Sequence, residues 1–493
     1  MASTFQAGAA RCDITPPVGI AHGNWSAQVH ERAEGIDLPL TCTVLACSDG
    51  HEQVIIAEWE LLFPPSGPWL EEARRRITEL TGVPATHIRL SATHTHAGPN
   101  LSQPWFAGGA EMVAPYVASL TDRLAGTALA AHRAMRPARV GAGTGQSAAN
   151  SNRRRPWPEI GQNAATKELY DTHPANRAFE GGKPEALLMA PNPDGFVDHG
   201  VGVIRIDGVD GQTIAILVNY QAHPTILAFD NRLISPDYPG SVRRTVEAVC
   251  GGLCLYLLGA AGNQDTIRDA SCNPEDARWI GRQIGLEAAR VAELIEMRPT
   301  RTQIGRVVES SWPMGVVERI ADGEPDATVH AIARRITVPL WQREAPSDAE
   351  IARVKELEQR LAELRAQGAD TAAIRTANMN VRRAALDLNC NLKRSRGAEI
   401  EMEFQAIRLG PSALVGIPVE PFAEIGVAVK RDSPFATTFF SGYTNGVESY
   451  MVMPYAFEEG GYEVWMCPFA PEAAEITVKE SLRLLQELKN GAA

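Results

Sequence analysis

Two histidines lie two positions apart directly after a predicted strand. His94 and His96 belong to the segment 91–100, which continues from the strand predicted over 87–92. Because residues i and i+2 of an extended chain point the same way, both imidazoles can enter one cleft. Such a pair is typical of zinc ligands, or of one ligand beside a catalytic histidine. Two surface or hydrogen-bonded histidines give the same pattern, so the pair alone leaves both interpretations open.

A third histidine, His223, ends an apolar strand and precedes Pro224. A strand end of this kind delivers a side chain to the edge of a site, although a lone histidine there is more often a satisfied core residue. Asp237 follows downstream in a segment dense in polar and turn residues. It is a candidate to orient an imidazole or to cap the helix predicted to begin near Gly240. The sequence does not choose between these two roles.

The small-residue turn 259–262 follows a buried strand predicted over 253–258. Glycine and alanine permit close backbone approach to a ligand or an oxyanion. The turn is neither a dinucleotide-binding fingerprint nor a P-loop, which makes a nucleotide-dependent enzyme a remote alternative. Near the end of the chain, Glu420 is held between two prolines, and Tyr443 follows a glycine. Taken alone, each of these two residues is more typical of a structural position.

The eight cysteines are scattered and contain no CxxC pair. In a reducing compartment this spacing predicts small buried apolar residues rather than a zinc or disulfide framework. Cys254 and Cys272 lie near the glycine-containing turn, so thiol catalysis with a histidine is a minor alternative.

Apolar runs and turn residues alternate along the chain and predict a mixed α/β fold of largely antiparallel and mixed sheets flanked by helices. Turn residues between neighbouring strands predict hairpins at 41–57 and 201–218. The predicted strands are 41–47, 53–57, 87–92, 201–206, 213–218, 253–258, 399–409 and 413–417, and the main predicted helices are 70–80, 274–296 and 470–489.

Two long segments depart from this alternation. Residues 346–390 carry apolar residues at helical spacing, interrupted at 368–370, which predicts a helical hairpin inserted in a larger body. Residues 145–195 are rich in Asn, Pro, Arg and Gly and have few apolar runs. A stretch without periodicity is usually a functional or disordered loop. We therefore predict a single catalytic domain over 1–493, with the hairpin 346–390 as an insert.

Composition limits the class of partner. The formal net charge is −12, and hydrophobic residues make up 44% of the chain. This acidity argues against nucleic acid, whose phosphates require clustered Lys and Arg. No apolar run reaches the length of a membrane span, and the first residues lack the features of a signal peptide. We expect a cytoplasmic protein that acts on a small molecule without a membrane partner, and a homo-oligomer is left open.

Taken together, the motifs resemble the catalytic domain of the neutral (non-lysosomal) ceramidase family. The matches follow the family's order along most of the chain. They are ARCDITP at 10–16, GIDLPL at 35–40, ATHTHAGP at 92–99, NR at 152–153, AHP at 222–224 with NRLIS at 231–235, PVEPF at 418–422 and GYTN at 442–445.

The resemblance implies a zinc-dependent amidase. By position in the motifs, the zinc ligands would be His94, His223, Glu420 and Tyr443. His96 and Arg153 would contact the substrate and its oxyanion. Zinc takes nitrogen and oxygen ligands at about 2.0–2.2 Å and keeps a position open for water. It lowers the pKa of that water toward about 7 and polarises the scissile carbonyl, and positive donors such as His96 and Arg153 would stabilise the developing charge.

The chain departs from the family in two respects. Asp265 occupies the position of an active-site serine, where a carboxylate could act as general base for a zinc-bound water. The family's C-terminal β-sandwich domain has no expected counterpart after the helix 470–489. We therefore predict cleavage of an amide C–N bond in a small soluble substrate rather than in ceramide. Ester or lactone hydrolysis at the same site and a catalytically inactive metal-binding homologue are the alternatives.

Overall fold

The structure is a computed structural model that describes residues 5–101, 108–156 and 187–491. Its strands are β1 (Gln6–Asp13), β2 (Gly35–Ile36), β3 (Thr41–Ser48), β4 (Gln53–Trp59), β5 (Ile88–Ala92), β6 (Arg136–Gln146), β7 (Asn150–Pro156), β8 (Leu187–Asn192), β9 (Gly200–Gly208), β10 (Thr213–Tyr220), β11 (Leu233–Ile234), β12 (Leu253–Leu258), β13 (Gln264–Thr266), β14 (Thr300–Val308), β15 (Met314–Ala321), β16 (Val329–Pro339), β17 (Glu399–Leu409), β18 (Ser412–Gly416), β19 (Glu420–Pro421), β20 (Thr437–Ser441) and β21 (Tyr450–Met451).

The described helices lie between these strands and after them. They are α1 (Pro68–Thr81), α2 (Val113–Arg133), α3 (Tyr238–Cys250), α4 (Pro274–Leu294), α5 (Asp348–Ala366), α6 (Thr371–Arg394), α7 (Ala423–Asp432), α8 (Ala456–Glu459), α9 (Tyr462–Met466) and α10 (Ala473–Asn490). None of the helices in the described part of the chain is both long and apolar enough to cross a bilayer.

The largest sheet has the order β12-β10-β9-β6-β1-β3-β4-β5. Its two halves join weakly, because only Gln6 and Ala7 of β1 pair with β6. The sheet folds back at this junction, so that β12 at one edge contacts β3, β4 and β5 near the other. A four-stranded sheet, β16-β17-β18-β20, packs across the opening. Every one of these strands except β5 contributes to one apolar core between the sheets, which includes Leu45, Leu217 and Leu414.

Helices cover the outer faces. Helices α1 and α2 pack on β1 and β3–β5, α3 and α4 on β6, β9, β10 and β12, and α7 and α10 on the four-stranded sheet. Strand alternation assigns each side chain to a face: in β10, Leu217 enters the inner core, whereas Ile216 and Val218 meet α3 and α4. Fully burying such a side chain stabilises the fold by about 1.5–3 kcal/mol. The predicted mixed α/β class with flanking helices is confirmed.

Among the described strands, the two largest sheets contain three parallel pairs within otherwise antiparallel pairing, and two short ribbons, β2–β11 and β19–β21, are also parallel. The three pairs in the large sheets position the site. They are β4–β5, β10–β12 and β18–β20, and a helix connects the two strands of each pair: α1, α3 and α7 respectively. Parallel strands need such a crossover, and ligands bind at their carboxyl ends. The three βαβ units belong to the three groups of strands that surround the inner core.

Two helices occupy the segment predicted as a helical hairpin. Ser347 and Glu350 form a capping box at the start of α5, and the Asp370 side chain caps the first turn of α6. The two helices pack on each other. Helix α6 also contacts the N-terminal region, where the Asn378 amide donates to the Gln28 carbonyl. The division into one domain with an insert stays a prediction, as does the cytoplasmic location.

The prediction of a loop over 145–195 is wrong for its two ends. Strand β7 pairs with β8 and with β13, all antiparallel. The apolar pattern did not indicate β7 because its buried side chains are polar or charged, among them Asn152, Arg153 and Arg154. Their hydrogen bonds and ion pairs replace the apolar contacts on which strand prediction depends. Residues 157–186 lie outside the described part of the chain.

Candidate metal centre

The predicted ligands lie at the carboxyl ends of the three parallel strand pairs. His94 follows β5, His223 follows β10, and Glu420 and Tyr443 follow β18 and β20. Because the ends of these pairs meet at one end of the inner core, residues from 94 to 443 converge. The structure brings all four of the predicted ligands together.

His94, His223 and Glu420 form a compact buried triad. One ligand atom from each lies within 4.8 Å of the other two. The Glu420 Oε2 atom is 3.0 Å from His223 Nε2 and 4.0 Å from His94 Nε2. Among the residues that the structure describes, no other set of three or more His, Cys, Asp or Glu side chains has this arrangement.

Backbone carbonyls fix the orientation of both imidazoles. His94 Nδ1 donates to the Leu62 carbonyl at 2.7 Å, and His223 Nδ1 donates to the Gln264 carbonyl at 3.2 Å. With the proton held on Nδ1, each Nε2 presents a lone pair to the centre of the triad. Outward hydrogen bonds of this kind are the usual support of metal-bound histidines.

The backbone is strained where it delivers two of the ligands. His94 has φ = 70° and Tyr443 has φ = 42°, in the left-handed region that side chains other than glycine rarely adopt. Each such residue costs on the order of 1–3 kcal/mol, which the surrounding contacts must offset. Asn445 supplies two of these contacts: its side chain accepts from Leu90 N at 2.8 Å, and its own N–H donates to the Leu90 carbonyl. The end of β5 is thereby tied to the loop after β20.

Tyr443 lies directly against the triad. Its hydroxyl oxygen is 3.2 Å from His94 Nε2, and its ring stacks on the His94 imidazole with the ring centroids 4.1 Å apart. The phenol oxygen is therefore placed to be a fourth donor beside two nitrogens and a carboxylate.

His96 also faces the centre. Its Nε2 is 3.2 Å from His94 Nε2, and its ring lies 5.2 Å from that of Trp25. Burial, followed by the neighbouring His94 and His223, lowers its pKa well below the usual value, so the ring is neutral at pH 7. Since His94 Nε2 carries a lone pair, the proton of His96 is on the Nε2 that faces it. His96 Nδ1 is buried without a hydrogen-bond partner among the described residues.

Arg153 lies behind the triad within a network of buried side chains. Its guanidinium donates to Glu463 Oε1 at 2.7 Å, to Asp265 Oδ1 at 3.2 Å and to the Tyr450 hydroxyl at 3.1 Å. Arg153 Nη1 also lies 3.3 Å from His223 Nδ1, and the Tyr450 hydroxyl lies 3.5 Å from His223 Nε2 on the side of the imidazole that faces the triad.

Sequence analysis missed Tyr450 and Glu463. Glu463 is 2% exposed and also binds the neighbouring Arg154 at 2.6 Å, so one carboxylate holds two arginines. Neither residue belongs to the motifs that carry the resemblance. The available signal was weak: a glutamate within the apolar segment 462–466.

Asp265 lies on the side of His223 that faces away from the triad. Its Oδ1 is 3.7 Å from His223 Nδ1, while His223 Nε2 points to Glu420. At 3.7 Å this is a charge contact rather than a hydrogen bond, and it places the carboxylate beside the Nδ1 proton that the Gln264 carbonyl accepts. The role of general base stays a prediction, and the observed contact favours the orienting role.

Asp237 caps a helix instead of contacting the site. Its carboxylate accepts from Tyr238 N at 2.6 Å at the start of α3, and from Leu227 N at 2.8 Å.

The backbone of the small-residue turn 259–262 packs closely against other backbone atoms of the protein: a Cβ added at Gly262 would lie 2.7 Å from the Glu420 carbonyl oxygen. The turn therefore allows close packing behind the ligand Glu420.

The cysteines do not enter the site. All eight are free, and Cys254 is fully buried with its pKa raised well above the usual value, mainly by burial. The Cys272 thiol contacts the Ala270 carbonyl. A buried, protonated thiol is a poor nucleophile, so the geometry does not favour thiol catalysis.

The donor set fits a zinc ion. Burial is the main cause that lowers the pKa of His94 and of His223 to about 4, so both are neutral ligands at pH 7. Burial also raises the pKa of Glu420. An ionised carboxylate at this position is costly, and a divalent cation would offset that cost. Two imidazole nitrogens with carboxylate and phenol oxygens are donor types that suit zinc.

Comparisons with known proteins show similarity in sequence and in fold. No protein-family model matches the chain. The chain is 25% identical over 469 residues to neutral ceramidase from Mycobacterium tuberculosis, covering 84% of this chain and 66% of that protein. It thus spans just under two thirds of that relative's length.

Solved structures show the same fold. The crystal structure of neutral ceramidase from Pseudomonas aeruginosa matches with a TM-score of 0.63 and 16% identity, over 99% of this chain and 75% of that one. A ceramidase complexed with C2 matches with a TM-score of 0.62, at the same identity and coverage. In aligned sequence and in fold, this chain is therefore similar to the neutral ceramidases.

Proposed function

We propose that the chain is a zinc-dependent hydrolase that cleaves an amide C–N bond. The observation that carries the proposal is the buried triad of His94, His223 and Glu420, whose ligand atoms lie within 4.8 Å of one another. Both imidazoles present Nε2 to one point, and Tyr443 adds an oxygen beside them. The similarity to neutral ceramidase supports an amide rather than another bond as the target.

Bound to these donors, zinc would polarise the scissile carbonyl and lower the pKa of a water molecule toward about 7. The protein's part is to hold the donors rigidly. The Leu62 and Gln264 carbonyls keep the two imidazoles in the required tautomer. Asp265 supports His223 from the same side as Gln264. Preorganised ligands of this kind need no rearrangement during the reaction.

Two neutral donors face the position where negative charge would develop on the substrate. His96 directs its Nε2 proton toward the triad. Tyr450 keeps its proton because burial, followed by the nearby Glu420, raises its pKa well above the usual value. Arg153 donates to the Tyr450 oxygen and so strengthens the tyrosine as a donor. We assign the oxyanion contact to His96 and Tyr450, with Arg153 acting through Tyr450.

The test compares metal content and activity in the same samples. Matched amides and esters, including a short-chain ceramide and water-soluble N-acyl amines, are assayed before and after complete metal removal and again after zinc is restored. We expect turnover of amides that is lost with the metal and regained with zinc. His94→Ala should abolish both zinc binding and turnover. His132→Ala is the matched control, because the His132 side chain forms a hydrogen bond with Gln53 at the amino end of β4, whereas the site lies at the carboxyl ends of the strands.

Each alternative has its own outcome. Turnover restricted to esters or lactones would replace the amide with the second candidate. Tight zinc binding without turnover of any substrate would identify an inactive metal-binding homologue. Unchanged turnover after complete removal of metal would contradict zinc-dependent hydrolysis of amides and of esters or lactones alike.

A further inference from the structure

Two cysteines face each other on neighbouring strands. Cys12 of β1 and Cys42 of β3 are direct partners in an antiparallel ladder whose register is unbroken along the whole of β1. They belong to a hydrogen-bonded pair, because two residues further along the same register the Ile14 N–H donates to the Leu40 carbonyl. The Cα atoms of such a pair are about 5.5 Å apart. Disulfides most often join Cα atoms about 5.5–6 Å apart, so the backbone already has the spacing of a disulfide.

Both side chains lie on the side of the sheet that faces α2. Cys42 belongs to the apolar cluster that α1 and α2 form with these strands, and Cys12 packs against the same cluster. The Cys12 sulfur lies 3.9 Å from the Arg123 carbonyl oxygen of α2. Each of the two thiols is the strongest influence on the ionisation of the other, so the two sulfurs are close neighbours.

The two thiols differ in exposure and in acidity. Cys42 is fully buried, whereas Cys12 is partly exposed. The hydrogen bond from the Cys42 thiol is the main cause that lowers the pKa of Cys12 to about 6, against the opposing effect of burial. The same contact, followed by burial, raises the pKa of Cys42 well above its usual value. At pH 7, Cys12 is therefore mainly a thiolate within reach of small solutes, and Cys42 is a thiol held beside it.

This arrangement has the parts of a two-thiol oxidation site. The thiolate is the reactive form of cysteine, and oxidants attack first the cysteine that combines a low pKa with access to solvent. A second thiol beside it then converts the first oxidation product into a disulfide. Cys250 offers a contrast within the same chain: it is also partly exposed, but burial is the main cause that raises its pKa.

We propose that Cys12 and Cys42 form a redox-active pair that closes to a disulfide when the protein meets a peroxide. In the first step the Cys12 thiolate attacks one peroxide oxygen and the O–O bond breaks. The departing oxygen takes up a proton, and Cys12 becomes a sulfenic acid. In the second step the Cys42 sulfur attacks the Cys12 sulfur, the S–O bond breaks, and the Cys42 proton leaves with the hydroxide as water. The two sulfurs together lose two electrons, which the peroxide accepts.

The test counts free thiols in the full-length protein. The folded protein is treated with hydrogen peroxide, unfolded, alkylated, digested and analysed by mass spectrometry. We expect two of the eight thiols to disappear, with the peptides that contain Cys12 and Cys42 joined by a bond that dithiothreitol breaks. In Cys12→Ser the Cys42 thiol should stay free at the same dose of peroxide, because the oxidant does not reach it directly.

Two further variants keep the test decisive. Cys250→Ser is the matched control, because it changes a cysteine of the same exposure class and should leave the cross-link unchanged. Cys42→Ala removes the second thiol, so Cys12 should accumulate as a sulfenic acid that dimedone traps. Cys12→Ser changes only a partly exposed side chain, so the test does not depend on folding of the buried variant. Thermal melting of each variant shows whether the fold is kept.

A wild-type protein that keeps all its thiols at a dose that oxidises free cysteine would overturn the proposal. Oxidation of Cys12 to a sulfinic acid without a bond to Cys42 would also overturn it, as would loss of the Cys42 thiol in Cys12→Ser. Each readout is a covalent change that requires no turnover. The result is therefore independent of whether the chain hydrolyses amides.

Discussion

At the scale of single residues, Asp265 and Glu463 show how buried charges serve a site without touching its centre. Asp265 lies behind His223, and Glu463 lies behind Arg153. The motifs indicated the residues that face the centre, because family resemblance follows short segments of sequence. They did not indicate Glu463, whose partner Arg153 is 310 positions away in the chain. Such a contact depends on the fold, which local sequence does not contain.

The role of Asp265 can be decided by a conservative change. Asp265→Asn keeps an acceptor near His223 Nδ1 but removes the charge. If Asp265 orients His223, we expect zinc affinity to fall about tenfold, the usual scale for a partner of a metal-bound histidine. Turnover at saturating zinc should remain, with the same dependence of kcat on pH. Competition against a chromophoric chelator measures the affinity. Loss of turnover at unchanged zinc affinity would instead favour the general-base role.

Glu463 should carry much of the local stability. Glu463→Gln leaves Arg153 and Arg154 buried with a weaker partner, and breaking a buried ion pair costs about 3–5 kcal/mol. We expect the free energy of unfolding in urea to fall by about 3 kcal/mol. Glu459→Gln is the matched control: it binds Arg154 alone through a carboxylate that is 38% exposed, and should cost less than about 1 kcal/mol. Equal effects of the two variants would contradict this assignment.

At the scale of elements, strand order explains the position of the site better than any single motif. The three βαβ units place their carboxyl ends together. The apolar and turn patterns of the sequence predicted eight of the 21 described strands, all of them in the two largest sheets, and missed β1, β6, β16 and β20 of the same sheets. Sequence analysis did not predict the parallel pairings, because crossover partners are set by packing of the whole sheet. Strand β7 was missed for a different reason: the side chains that fix it are charged.

Helix α3 offers a test of pH dependence. Asp237 caps this helix, and burial is the main cause that raises its pKa to about 7, against about 3.9 in an unfolded chain. The folded state therefore binds this proton more tightly. The stabilisation is fully present below about pH 4 and is lost as pH rises through 7. Asp237→Asn removes the titration while keeping an acceptor at the cap.

We therefore expect wild type to lose stability between pH 5 and pH 8 relative to Asp237→Asn, by on the order of a few kcal/mol. Urea unfolding of both proteins across this range measures the difference. Parallel stability curves for the two proteins would show that Asp237 does not titrate in this window.

At the scale of the whole molecule, the candidate centre links parts of the chain that are distant in sequence. The triad and Tyr443 come from residue 94 to residue 443 and from all three groups of strands around the inner core. Zinc bound there would contact every group of strands at once. An ion that binds only the folded state raises the free energy of unfolding by about 2.7 kcal/mol at a free concentration of 100 times its Kd.

Metal removal should therefore lower the melting temperature of the entire chain, and not only disorder the loops near the site. We expect one cooperative transition that moves upward as free zinc is increased, with the far-ultraviolet and near-ultraviolet signals moving together. His94→Ala should melt at a temperature that does not depend on zinc, whereas His132→Ala should respond like wild type. If wild type melted at the same temperature with and without zinc, the four side chains would not form a metal centre. A shift confined to the near-ultraviolet signal would restrict the effect of the ion to its immediate surroundings.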